Sequence, residues 1–158
     1  MGRGGSYNYR DLVALKNNLE KTIVEIDYFC DVLTRELAAR LLTKVIKRTP
    51  VRTGVLRRGW TAGKDVKIGE YANSLSVRHV NGEYIITIVN PVHYGIYVEF
   101  GHRQEVGRYV PAIGKRLVNP WVKGQFMLTY SENELRSEAP DIIRKKLDKK
   151  LKEAFRWL

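Results

Sequence analysis

The chain opens with apolar residues at three- and four-residue spacing: Leu12, Leu15, Leu19, Ile23 and Ile26, then Cys30, Leu33, Leu37, Leu41 and Val45. That spacing returns side chains to one face of a 3.6-residue turn. It predicts amphipathic helix from about Asn8, a candidate N-cap with Asp11 in the first turn, to about Arg48. One helix of this length is about 60 Å long. The β-branched and aromatic residues of "TIVEIDYF" lower helix propensity midway, so the prediction is two helices or one long bent one. Pro50 ends it and restricts Thr49.

Beyond residue 54 the period changes. "SLSVRHV" (Ser74 to Val80) and "YIITIVN" (Tyr84 to Asn90) flank "NGE", which predicts a hairpin at 74–90. The near-continuous apolarity of the second segment predicts a central strand buried on both faces. A weaker strand is expected from Val55 to Thr61, and "YGIYVEFG" (Tyr94 to Gly101) fits either a short helix or a third strand. Residues 101–125, dominated by Gly, Pro and basic side chains, read as a long loop. "SENEL" then begins a helix, with Ser131 and Glu134 at capping-box spacing and, at Pro140, either the end of a short first piece or a kink before a second piece. Ile143, Leu147, Leu151, Phe155 and Leu158 form its apolar stripe. The fold class is therefore α+β: a long N-terminal helix or two helices, a small mainly antiparallel sheet, the loop and a C-terminal helix. Residues 1–7 read as a flexible Gly-rich arm and 8–158 as a single domain.

Charge alters this ordinary picture. The chain carries 28 Lys and Arg against 17 Asp and Glu, a net charge of +11. The middle of the chain, not a tail, supplies most of the excess. Lys47, Arg48, Arg52, Arg57 and Arg58 cluster around the turn at Pro50, and Arg103, Arg108, Lys115, Arg116 and Lys123 lie in the long loop. Such clusters favour a phosphate-bearing partner or ion pairs across a protein interface. No helix-turn-helix, zinc-finger or RNP-like string is present, so a DNA contact here would engage backbone phosphates, without sequence preference and with steep salt dependence. The basic "RKKLDKKLK" has acids within and beside it and reads as a solvated helix face. Trp60, Tyr109 and Trp121 are candidate interface anchors, since aromatic residues and Arg concentrate binding energy.

Candidate chemistry changes little. The set His93, Glu99 and His102 fits no helical or Cys/His metal spacing. The single cysteine, Cys30, excludes an intrachain disulfide, suits a reducing compartment and reads as a structural thiol on an apolar helix face. The glycines form no phosphate loop, and Asp65, Glu70, Glu83, Glu99 and Glu105 are too dispersed for two-metal work. The expectation is no enzyme, no cofactor and no metal. No apolar run approaches the ~20 residues that span a bilayer, and no signal peptide is expected.

Three strings, in this order, carry a resemblance: Thr49-Pro50-Val51-Arg52-Thr53-Gly54 with Leu56-Arg57 after a long helix; Tyr94 with Tyr97-Val98-Glu99-Phe100-Gly101; and Gly124-Gln125-Phe126-Met127 before the last helix. From about Leu12 to Leu158 the chain resembles the tail-component family of tailed bacteriophages, the gene-ten-product-like proteins of lambdoid siphophages. Arg52 stands where an acid is common in that family, and His102 where a small hydroxyl residue is common. The resemblance implies structural work at the head–tail junction, as a neck or tail-completion protein. It implies a homo-oligomeric ring, with six copies suspected, joined to the connector and to the tail terminator or tail tube. It places the protein in the virion, after assembly in the host cytoplasm, with DNA in the lumen as a nonspecific contact. The competing reading, from charge alone, is a free-standing sequence-nonspecific DNA-binding protein.

Overall fold

The computed structural model describes residues 9–154, so the expected flexible arm at 1–7, the Asn8 cap and the stripe residues Phe155 and Leu158 lie outside the described residues. Helix α1 (Tyr9–Arg48) is one continuous element of 40 residues. Its C-terminal half buries Leu33, Ala38, Leu42 and Val45, whereas Leu12, Ile23 and Ile26, on the same face nearer the N-terminus, are exposed.

Helix α5 (Met127–Ala154) packs antiparallel to α1. Ion pairs zip the two together. Lys44 donates to Glu134 at 2.6 Å and to Glu138 at 3.0 Å, Arg48 also pairs with Glu134, Lys146 reaches Glu36, and Lys150 reaches Glu25 at 3.3 Å. Partial burial pushes the Glu36 carboxyl up, but the hydrogen bonds from Lys146 and Arg40 outweigh it and leave Glu36 below its usual value.

Two expectations for α5 are corrected. Ser131 does not open the helix as a capping box: it lies one turn inside, and its hydroxyl donates to the Met127 carbonyl at 2.6 Å while Glu134 turns to α1. Pro140 does not divide the helix into two pieces: it runs on as one element from Met127 to Ala154.

The segments between α1 and α5 are short. Helix α2 (Val55–Gly59) replaces the strand expected at 55–61: Gly54, at φ 78°, reverses the chain, and Arg58 N–H then closes a helical turn onto the Gly54 carbonyl at 2.9 Å. Helix α3 (Ile68–Ser74) lies against α1 and buries Ala72. Strands β1 (Arg78–Val80) and β2 (Glu83–Ile85) form the predicted antiparallel hairpin. Asn81 and Gly82 both have positive φ, the type I′ turn that suits a two-residue connection. The ladder is shorter than 74–90, and the central-strand expectation is corrected. Residues 86–90 leave the ladder, with Thr87 and Val89 exposed and Ile88 against the core.

The hairpin is clasped to α1 by His79 on Asp31 (2.7 Å) and by the Tyr84 hydroxyl donating to Asp27 (2.6 Å). The Asp27 bond pushes the Tyr84 phenol up to about 12. "YGIYVEFG" resolves as helix α4 (Gly95–Phe100). The core gathers Leu42, Val45, Leu56, Trp60, Ala72 and Met127, one or two residues from each of α1, α2, α3 and α5 plus Trp60 just after α2. The architecture is α+β.

Candidate interaction surfaces

The turn after α1 is a structural clasp before it is a charged surface. The Thr49 hydroxyl donates to the Val45 carbonyl at 2.6 Å and accepts the indole N–H of Trp60 at 2.8 Å. Arg57 donates to the Thr49 carbonyl at 2.9 Å, one of the orphan acceptors at a helix end. Arg48 is taken up by Glu134 and Ser131, and Arg58 approaches the Thr53 carbonyl at 3.4 Å. Of the five basic residues expected to face a partner here, Lys47, Arg52 and Arg58 remain exposed without an ion pair among the described residues. Trp60 is corrected as an interface anchor: it is 4% exposed and belongs to the core, because its N–H finds Thr49 inside the corner.

Glu99 is a second clasp. It is 6% exposed, yet its carboxylate is fully engaged by the start of α5. It accepts the Leu128 N–H at 2.9 Å, the Thr129 N–H at 2.9 Å and the Thr129 hydroxyl at 2.7 Å. The first N–H groups of a helix have no partner of their own and carry partial positive charge, so a carboxylate from another element caps them. Gly101 and Gly124 stack backbone on backbone beside it. A Cβ on Gly101 would meet the Val122 carbonyl at 2.3 Å, and one on Gly124 the Glu99 carbonyl at 2.3 Å. His93 and His102 make edge contacts with Tyr94 and Tyr97, and no group of three or more His, Cys, Asp or Glu could hold a metal among the described residues.

Residues 101–123, expected as loop, form a two-stranded arm. Strand β3 (Gly101–Arg103) pairs antiparallel with β6 (Trp121–Lys123), and β4 (Tyr109–Val110) pairs with β5 (Lys115–Arg116) further out. Between them the register shifts by one residue: Gly107 N–H donates to the Leu117 carbonyl (2.8 Å), and Leu117 N–H to the Arg108 carbonyl (2.9 Å). This is a G1 bulge, which needs the left-handed conformation that Gly107 adopts at φ 85°. Arg116 locks the bulge by donating to the Gly107 carbonyl at 2.7 Å.

Arg103, Arg108, Lys115, Arg116 and Lys123 are all exposed on this arm, as are Tyr109 and Trp121. Arg103 lies directly opposite Trp121, and Tyr109 directly opposite Arg116, so each tier presents an Arg and an aromatic ring together.

At the arm's root lies a groove of about 620 Å³, walled by Ile88, Val92, Ile96, Phe100 and Leu128 with Glu132 at its rim. Ile96 is 60% and Phe100 56% exposed. The sequence carries one sign of this surface: between Arg78 and Arg103 there is no Lys or Arg, in a chain of net charge +11.

No helix among the described residues is long and apolar enough to cross a membrane. A search of curated proteins and a search of solved structures each found no significant match. A family model does match, that of bacteriophage HK97 gp10, tail component, over residues 14–101. That span takes in α1 from residue 14 onward, the Thr49 clasp, the hairpin and α4 with Glu99, and it stops where the arm begins; the third string, Gly124 to Met127, lies beyond it. Over more than half of its length the match is direct, and the chain belongs to the HK97 gp10-like family of phage tail components.

Proposed function

We propose that the protein is a structural, non-catalytic component of the phage neck, acting in tail completion, where copies arranged around the tail axis join the tail to the connector. The observation that carries this reading is the family match over α1 to α4, whose two strings inside that span serve as packing clasps. What the chain offers to partners is then its arm, its groove and the exposed half of α1. The reading places it in the virion, assembled in the host cytoplasm, as a ring with six copies suspected from the resemblance, beside the connector and the tail terminator or tube. Electron microscopy of particles from a phage lacking this gene tests it. Tails unattached to heads, or tails with unfinished ends, are expected; normal infectious particles would sink the proposal.

The basic arm favours a second reading, a free-standing DNA-binding protein, with five exposed Lys and Arg on one projection. A duplex titration at several salt concentrations separates the two. A free-standing binder holds DNA tightly at low salt with a slope set by its phosphate contacts. A neck component shows only weak binding as a monomer, because its DNA contact is a secondary one made in the assembled lumen.

A further inference from the structure

We infer, resting on the reading of the chain as a structural tail component, that a cleft on the far side of α4 from the groove takes an acidic segment of a partner protein other than a second copy of this chain.

The cleft lies where the turn after α1 meets the root of the arm. It has two connected lobes, of about 620 and 590 Å³, which share Pro50, Tyr94 and Val98. Its cations come from both basic clusters: Arg52 from the turn, Arg103 and Lys123 from β3 and β6. All three are exposed, and none has an ion pair or a side-chain hydrogen bond among the described residues. The Arg58 guanidinium lies over Gly54 at the edge. Among the described residues no Asp or Glu lines either lobe. Glu99, the one acid of α4, turns the other way and is held by the start of α5. The positive charge here is therefore open and uncompensated.

Between the cations the walls are apolar and aromatic. Val51 is 56% and Tyr97 55% exposed, and His102 lies edge-on to Tyr97. This mixture selects the occupant. A DNA duplex can lay phosphates across the rim, but it is too wide to enter and leaves the walls uncovered. A second copy brings the same net charge of +11 and is repelled. A peptide segment with carboxylates flanking an apolar or aromatic side chain satisfies both parts of the surface. Its carboxylates meet the Arg and Lys side chains, and its apolar side chain enters beside Tyr94 and Tyr97.

The test titrates the full chain with a short labelled peptide that alternates Glu with Leu and Phe. The same peptide with Gln for Glu, and a duplex DNA, serve as comparisons. Amide NMR should show shifts at residues 50–54, 94–98 and 122–125 on adding the Glu peptide. The double variant Arg52→Glu with Lys123→Glu should weaken its binding about tenfold or more, read by fluorescence anisotropy. Arg108→Glu with Lys115→Glu makes the same change of net charge on the outer part of the arm, away from the cleft, and should change it by less than about threefold. All four positions are exposed, so folding should survive, and circular dichroism checks it. Tyr97→Ser, which leaves the charge unaltered, should also weaken binding, by about fivefold.

No binding of the Glu peptide at low salt overturns the inference, as does equal binding of the Gln peptide. Equal losses in the two charge-reversed variants would show attraction to net charge alone and overturn it too. Duplex DNA shifting the cleft amides while the peptide does not would assign the cleft to DNA instead. Each of these failures leaves the tail-component reading standing, because that falls only with normal infectious particles from the gene-deleted phage.

Discussion

Two residues with ordinary identities hold the parts of this molecule together. Glu99 spans from α4 to the first turn of α5, about thirty positions away, and supplies the cap that the local sequence "SENEL" seemed to provide for itself. A capping box is a local pattern; a carboxylate delivered from another element leaves no local trace, and so Ser131 was misread. Glu99→Ala should leave two N–H groups and a hydroxyl without their charged acceptor and lower stability by about 3 kcal/mol, measured by urea unfolding. Glu99→Gln should lose less, because the amide oxygen still accepts.

Thr49 and Trp60 form the other local clasp. A double-mutant cycle with Thr49→Val and Trp60→Phe should return a coupling of about 1 kcal/mol, the value of one buried neutral hydrogen bond. A coupling near zero would mean that Trp60 contributes by packing alone.

Elements were legible in proportion to their length. Forty residues of three-four spacing announced α1, and "NGE" announced the β1–β2 turn. Val55 to Thr61 looked like strand because Val55 is β-branched and Trp60 and Thr61 favour sheets; one turn of helix is too short for its period to show. The arm looked like loop because its ladders are two or three residues long and interrupted by a bulge. Pairing between α1 and α5 was equally invisible, since neither helix states its partner.

That pairing makes a pH prediction. The hydrogen bond from Lys44, then that from Arg48, holds the Glu134 carboxyl below its usual 4.5. The unfolded chain therefore takes up this proton first on acidification. The stabilisation from Glu134 is complete above about pH 4.5 and is lost as pH falls through the lower folded value. Lys44, raised above 10.5 chiefly by Glu134 and then by Glu138, works in the opposite sense: its share is complete below that value and is lost as pH rises through the folded one. Urea midpoints for wild type and Glu134→Gln should differ at neutral pH and converge on acidification. Coincident curves would show that the pair contributes nothing to stability, and curves offset equally at every pH would show that the loss does not come from the ionised carboxylate. Both side chains are partly open to solvent, so the effect is small.

At the scale of the whole molecule, the net charge of +11 separates into two uses. Part is internal: Lys44, Arg48, Lys146 and Lys150 bind α5 and α1 to each other. The rest is displayed, most densely on the arm. If that display meets DNA phosphates, duplex affinity should fall steeply with added salt, and replacing Arg103, Arg108 and Lys115 by Ala should flatten the slope by about one unit per lost phosphate contact. Titration at several salt concentrations measures it, and an unchanged slope would take the arm out of the contact.

The antiparallel zipper has a consequence for synthesis. Its ion pairs join residues 86, 90, 94, 110 and 125 positions apart, so α1 leaves the ribosome long before its partner exists. At about 5–20 residues per second the wait lasts several seconds or more. Through that interval α1 has only α3 and the hairpin to pack against, the side that α5 covers stays open, and the groove lacks the wall that Met127 and Leu128 supply. The last helix to be translated thus finishes the groove and covers α1 in one step, and a chain that still lacks it has neither surface complete.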